Sequence, residues 1–432
     1  MGAFVYPFLT LFMSNKLGYD ELTISRYLLV TSIVFLPAAI LGGKLGDRFS
    51  RKTVYVLLMG TGLTCFLMAG FLIEKPYVVA FVIVGFFFTS ASSPVITAMM
   101  MDRTNESNRQ VSFSLIYLGF NLGYAIGPLI AGFLFANYLP WIFWGNGLIG
   151  LIAILIILVK IEDKSYYMSR LRDDYEDAAY NRHIESQKAN SSKTDDIEKN
   201  IGTEAEASQS IRGSIILKSK RENVDGNNSR GLREVRPGDN LFTLVMRDKL
   251  LVVVAAMSAI YSFGYSNIGY MLPLDMERVF GIDLGSKYFG GVSSLNGICV
   301  FLFTPLLVYI FKNMPPIFNI GLAGLLYGIG FGGFSFSTNI LYIYLMVIIW
   351  SAGEVMSATN TGVFIASHAP ESYRARYQSI YDIIQGIGRA AGPFTMGYFL
   401  LKYDISQGWL LIGGMCITAF LLLCILHKRG YR

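Results

Sequence analysis

Runs of about 20 apolar residues recur along this chain, and that length is what a helix needs to cross a hydrocarbon core of ~30 Å. They fall near 24–44, 53–73, 77–101, 111–136, 140–160, 248–274, 288–311, 316–337, 340–366, 376–401 and 408–427. Inside a bilayer every backbone N–H and C=O must be satisfied within the segment, which a helix achieves alone. The expected fold class is therefore all-α, a polytopic membrane protein. A shorter apolar run, 1–17, opens the chain. Counting it as span 1 gives twelve spans, six on either side of a polar segment.

The charge distribution agrees. Residues 160–247 carry 16 of the 36 basic and 16 of the 30 acidic side chains. Elsewhere the chain is nearly charge-free, as expected where an ionised side chain is costly. Three parts follow: an N-terminal six-helix bundle over 1–160, a largely disordered linker over 161–245, and a C-terminal six-helix bundle over 246–432. The linker is polar and of mixed charge, with too little apolar surface to fold alone. Its first part, Tyr166 to Glu185, has the composition to prolong span 6 as a helix.

Orientation is read from basic residues in short loops. Lys44, Arg48, Arg51, Lys52, Arg103, Arg109, Lys312, Arg374 and Arg376 occupy one set of alternate loops, and Lys428, Arg429 and Arg432 the tail. Lys16, Arg26, Lys75, Arg278, Lys287 and Lys402 occupy the other set. The richer set places both termini and the linker in the cytoplasm, with the chain in the cell membrane. Asn190 and Asn228, each in an Asn-x-Ser triplet, would then be cytoplasmic and not glycosylated. The first residues lack a basic n-region, so no cleavable signal is read. The net charge of +6 is explained by the basic cytoplasmic face and implies no nucleic acid. Cys65, Cys299, Cys416 and Cys424 lie in apolar runs without metal-ligand spacing, and read as packing residues. No metal or cofactor is implied.

A shift of 265 residues superimposes two segments. Between 105 and 132, nine positions are identical to their counterparts in 370–397, including Gly123, Gly127, Pro128 and Gly132 against Gly388, Gly392, Pro393 and Gly397. Spans 5 and 11 are thus equivalents in two parallel halves, an architecture that places a ligand site at the interface between halves near mid-membrane. Leu11 to Gly18 likewise aligns with Leu274 to Gly281. Span 7 has about 27 residues before Leu274 and span 1 ten before Leu11, so span 1 is expected to lack roughly its first half.

Two motifs carry a resemblance. The loop after span 2 reads Gly42-Gly-Lys-Leu-Gly-Asp47-Arg48-Phe-Ser-Arg51-Lys52. Gly43 and Gly46 permit close helix approach. Asp47 can accept hydrogen bonds from a neighbouring helix N-terminus. Arg48, Arg51 and Lys52 anchor the loop at the cytoplasmic face. This resembles the G-x-L-x-D-R-x-x-R-K signature of the major facilitator superfamily. The resemblance implies a conformational latch in which the aspartate engages the start of span 11 and an arginine engages an acid ending span 4, here Asp102. The loop after span 8 keeps only Lys312 and Asn313. Span 5 carries Gly123-x-x-x-Gly127-Pro128-x-x-Ala131-Gly132, similar to the G-x-x-x-G-P-x-x-G-G motif of the family's antiporters, with Ala131 replacing a glycine. Physically it is a small-residue packing face with a proline bend.

Few charges lie deep. Glu354 falls near the middle of span 10, and Asp382 and Arg389 lie on one face of span 11. An intramembrane ionisable residue reads as functional by default. Glu354 is expected to couple proton uptake to conformation, because loss of water favours a neutral carboxyl and a nearby arginine favours an ionised one. A static pair of Arg389 with Glu354 or Asp382 is the structural alternative. Asn121 and Tyr124 in span 5, Tyr261, Tyr265, Asn267 and Tyr270 in span 7, Asn296 in span 8 and Asn360 in span 10 are cavity candidates. Rings and amides suit amphipathic or cationic organic solutes. Gly328-Ile-Gly330-Phe-Gly-Gly333 matches a dinucleotide fingerprint in form only, since no strand precedes it.

The resemblance implies a secondary active transporter, monomeric and not an enzyme, that moves a small organic solute by alternating access. Proton-coupled efflux of drugs or amphipathic compounds fits the span 5 motif. Span 4 lacks the arginine expected of drug:proton antiporters. One rival is a proton-coupled oligopeptide or nutrient importer, which the Gly353-Glu354 pair resembles. A rival of another class is a transporter-like sensor or lipid-acting enzyme. His183, His368 and His427 are the only histidines, and no Ser/His/Asp set or metal cluster is legible to support it.

Overall fold

The computed structural model describes residues 4–104, 106–161, 248–368 and 374–428. The linker, with Asn190, Asn228 and His183, lies outside the described residues. Among those described there is no strand. The helices are α1 (Leu9–Asn15), α2 (Glu21–Arg48), α3 (Arg51–Phe71), α4 (Val78–Met101), α5 (Glu106–Asn137) and α6 (Pro140–Lys160), then α7 (Lys249–Ser266), α8 (Met271–Phe311), α9 (Pro316–Gly333), α10 (Ile340–His368), α11 (Arg374–Leu400) and α12 (Ile405–Lys428). Nine helical stretches among the described residues are long and apolar enough to cross a membrane by length and composition. One of these runs from Lys249 to Phe311 and combines α7 with α8.

Local chemistry sets the helix ends. Ser50 caps α3 by accepting the Thr53 amide at 3.2 Å, and Asp248 caps α7 through the Leu251 amide at 3.1 Å. Asn339 does the same for α10 through Tyr342 at 2.9 Å. Each cap satisfies an otherwise orphaned N–H. Pro140 and Pro316 occupy first-turn positions of α6 and α9, where a missing N–H costs nothing.

Two glycines among the described residues have positive φ, Gly18 at 65° and Gly281 at 77°. They are the pair that the alignment of residues 11–18 with 274–281 placed in register. Gly18 turns the chain from α1 into α2. Gly281 interrupts α8, leaving a short leading helix before the long one. A positive φ, which glycine adopts without steric cost, therefore recurs at one place in each repeat.

Packing follows the repeat as well. α2 packs on α4, and α3 packs on α4 and α6; among the C-terminal helices α9 packs on α10 and α12, α8 on α10, and α7 on α11. The two sets meet along α5–α8 and α2–α11, with α1 resting on α8. Since α5 and α11 are sequence equivalents, these two seams are the same contact used twice. Small residues make them. A Cβ on Gly290 of α8 would lie 2.5 Å from the Pro128 carbonyl oxygen of α5, and one on Gly297 would lie 2.8 Å from the Ala125 nitrogen. A Cβ on Gly397 of α11 would lie 2.2 Å from Ser25 Oγ of α2. The glycine-rich stretch of α9 also packs helices: Gly328 meets Gly413 and Ile417, and Gly330 meets Trp350.

Candidate functional site

The loop between α2 and α3 binds helix C-termini. Arg51 forms an ion pair with Asp102 and donates to the Ala98 carbonyl at 3.4 Å. Lys52 donates to the Leu158 carbonyl at 2.9 Å near the end of α6. Cations at these ends offset the negative pole of each helix and satisfy terminal carbonyls. Arg51 is thus the arginine that engages the acid ending α4. Arg48 instead lies over the Phe49 ring at 5.6 Å.

Asp47 is 3.8 Å from Arg51, with its side chain 80% exposed. The latch reading assigned Asp47 to the start of span 11, where residues 369–373 and the side chains of the first residues of α11 lie outside the described residues. Gly43 needs a correction. A Cβ there would meet nothing within 4 Å, whereas one on Gly42 would lie 1.8 Å from the Ala91 carbonyl oxygen and one on Gly46 3.3 Å from Val95. Close approach to α4 therefore uses positions 42 and 46, one helical turn apart on a single face; position 43 is turned away from it. Replacing Arg51 by Ala and Asp102 by Asn, singly and together, is expected to give a coupling energy of about 0.5–1 kcal/mol in a double-mutant cycle on unfolding in mixed micelles, the scale of a partly exposed pair.

At the opposite end the two sets are tied together. Thr10 donates to the Gly269 carbonyl at 2.6 Å, and Tyr270 donates to the Glu21 carbonyl at 2.8 Å. Asn15 donates to Glu277. Arg26 reaches the Tyr398 hydroxyl at 3.4 Å. Phe8 packs edge-on against Phe289 at 5.4 Å. This end is shut, while Asp47 marks exposed surface at the other.

Between the ends lies the cluster around Glu354, fifteenth of the 29 residues of α10. Gly353 packs on the Ala323 carbonyl of α9, which turns the next residue toward α7 and α8. Glu354 accepts from Tyr265 Oη at 3.0 Å and from Asn296 Nδ2 at 2.8 Å. Asn296 also reaches Ser351 Oγ at 3.0 Å. Trp350 stands edge-on to Tyr265 at 5.7 Å. Gly297, beside Asn296, holds α8 against α5, so the cluster abuts the N-terminal helices. Tyr124 of α5 lies within electrostatic range of Glu354, Arg389 and Tyr6. Arg389 and Tyr124 are repeat equivalents at a shift of 265, and they face one region from opposite sets.

The other expected site residues divide. Asp382 accepts from Gln378 at 2.8 Å on an exposed face, and no carboxylate approaches Arg389 within 4 Å among the described residues. The static pair of Arg389 with Glu354 or Asp382 is thus not formed in this conformation. Asn121 is half-buried.

Three cavity candidates are structural instead. Tyr261 is buried with its hydroxyl against Gly324. Asn267 is buried, donates to the Phe263 carbonyl at 2.8 Å and packs on Gly392. Asn360 accepts from Asn319 at 2.8 Å, joining α9 to α10. Each faces a helix of its own set, because the helical period turned it away from the interface. In the span 5 motif, Gly127 and Pro128 are buried and Gly132 meets the Ser286 carbonyl, but Gly123 faces open space.

Sequence reasoning missed Asp275. It is 4% exposed and accepts from Trp409 Nε1 at 3.2 Å. An acid inside the apolar stretch Met271–Met276 was the available signal.

Two helical sets joined along small-residue seams, shut at one end, with ionisable groups midway between them, define a membrane transporter. The chain belongs to the Major Facilitator Superfamily, which it matches over residues 1–393 and, overlapping, 254–431. It is 21% identical to a Na(+), Li(+), K(+)/H(+) antiporter of Planococcus maritimus, over 99% of this chain and 93% of that protein. It is also 21% identical to an MFS-type transporter of Bacillus subtilis, over 96% of this chain and 82% of the other. Among solved structures, a POT family transporter superimposes with a TM-score of 0.67 at 14% identity, covering 100% of this chain and 93% of that one. The nucleoside transporter NupG superimposes with a TM-score of 0.67 at 13% identity, covering 99% and 95%. At these identities the likeness is one of fold.

Proposed function

We propose that this transporter exchanges protons for a small amphipathic organic solute across the cell membrane, acting as a monomer with both termini cytoplasmic. Glu354 is the proton-binding group. The observation that carries this reading is a carboxylate at mid-span, held by Tyr265 and Asn296, beside the seam where α8 meets α5. In the conformation described the end of Thr10, Tyr270 and Arg26 is shut. In the alternate conformation the contacts of Thr10, Tyr270 and Arg26 part, and the loop of Asp47, Arg51 and Lys52 secures the other end. A proton moving down 100 mV supplies ~2.3 kcal/mol, which sustains a solute gradient of about fifty-fold. The antiporter name of the Planococcus maritimus relative and the small-residue face of α5 support exchange over co-transport.

The test is flux of an amphipathic dye in proteoliposomes. An imposed pH gradient is expected to drive dye accumulation that collapses with a protonophore. Equal dye movement with and without the gradient overturns the coupling.

A further inference from the structure

Arg389 is a cation without a partner. It lies sixteenth of the 27 residues of α11, far from either end. Its side chain is exposed on the face shared with Tyr124 and Tyr6, and no acid lies within 4 Å among the described residues. Glu354, the carboxylate nearest in role, is committed to Tyr265 and Asn296. A guanidinium held at this depth is expensive and calls for a counter-charge. Its planar fork of N–H donors matches a carboxylate or similar anion with two parallel bonds.

We infer that Arg389 receives an anionic group of the transported solute, and that the solute is a zwitterionic amphipath whose cationic end lies toward Glu354. The inference rests on the transport reading above and names its substrate class. With Glu354 ionised, α10 and α11 present one charge of each sign on neighbouring helices. A solute bearing both signs complements that pair. Tyr124, exposed, and Tyr265, half-buried, supply aromatic surface, suited to a flat ring system and to a cation over a ring face. A proton on Glu354 weakens the hold on the cationic end, so solute and proton compete, as exchange requires.

Arg389 is a specificity-determining contact, and the test separates that role from a structural one. Binding of two rhodamines to the purified protein is measured by fluorescence polarisation. One is tetramethylrhodamine carrying a free carboxylate, a zwitterion, and the other is its methyl ester, a cation of nearly the same shape. The wild-type protein is expected to bind the acid at least about tenfold more tightly, which is ~1.4 kcal/mol. Arg389→Gln is expected to lose that preference while still binding the ester, and Arg389→Lys to restore part of it. Equal affinity for the two dyes in the wild type, no binding of the acid, or an unchanged preference in Arg389→Gln overturns the inference. Binding is read without a gradient. Failure here therefore leaves proton coupling through Glu354 standing, and failure of coupling leaves this result standing.

Discussion

Glu354→Gln is expected to abolish gradient-driven transport while leaving the fold intact and downhill exchange measurable at raised solute concentration. The substitution keeps the size of the side chain and a carbonyl oxygen to accept from Tyr265 or Asn296, and removes only the ability to bind and release a proton. If Glu354 is the coupling group, a 100 mV proton-motive force that sustains about fifty-fold accumulation in the wild type sustains none in the variant. Counterflow, in which labelled dye exchanges for unlabelled dye with no gradient, continues at raised dye concentration, because Arg389 and the aromatic rings still hold the solute. The measurement is a pair of proteoliposome assays on one preparation, one with a pH gradient and one in counterflow. Accumulation at wild-type level in Glu354→Gln removes this residue from the coupling mechanism. Loss of both activities at every dye concentration, with unchanged elution on size exclusion, would make the Glu354 contact indispensable for solute binding. Asn296→Ala is a weaker probe of the same cluster, because it removes one of the two donors that orient the carboxylate.

The second large effect concerns the seam. Gly290→Val is expected to hold the shut end open. A Cβ at position 290 would lie 2.5 Å from the Pro128 oxygen and 3.2 Å from the Gly132 Cα, both backbone atoms. Backbone of two helices cannot yield as the tip of a flexible side chain can, so the helices must separate. Overpacking of this kind costs typically ~1–3 kcal/mol, and it falls on the conformation in which α5 and α8 touch here. A bias of that size shifts a two-state equilibrium by roughly 5–150-fold. Spin labels replacing Lys16 and Lys402, exposed residues at the shut end and on different sets, report the change as a longer inter-label distance. Gly43→Ala is the matched control, because its Cβ would meet nothing within 4 Å. A distance distribution unchanged in Gly290→Val shows that the seam accommodates the valine without opening.

Much of the architecture was legible before any coordinates. The apolar runs found the helices, and the 265-residue correspondence identified α5 and α11 as equivalents. That correspondence reached further than the identities themselves. Gly18 and Gly281 share a positive φ, and Tyr124 and Arg389 share a place at the interface. The site was legible in part. Glu354 stood out because a charge at mid-span is rare, whereas Asp275 was passed over at the edge of a span. Tyr261, Asn267 and Asn360 were misplaced because composition cannot show which way a residue faces on a helix that is buried on more than one side.

The sequence by itself determined where helices run, where they break, and that the chain repeats, since hydrophobicity, capping and glycine turns act over a few neighbouring residues. Tertiary structure alone decided that Gly42 and not Gly43 meets α4, that Arg51 and not Arg48 holds Asp102, and that Glu354 bonds to Tyr265 and Asn296 while Arg389 has no acid within 4 Å among the described residues. Those choices join residues 49 to 89 positions apart. They depend on the rotation and approach of whole helices, which no local pattern records.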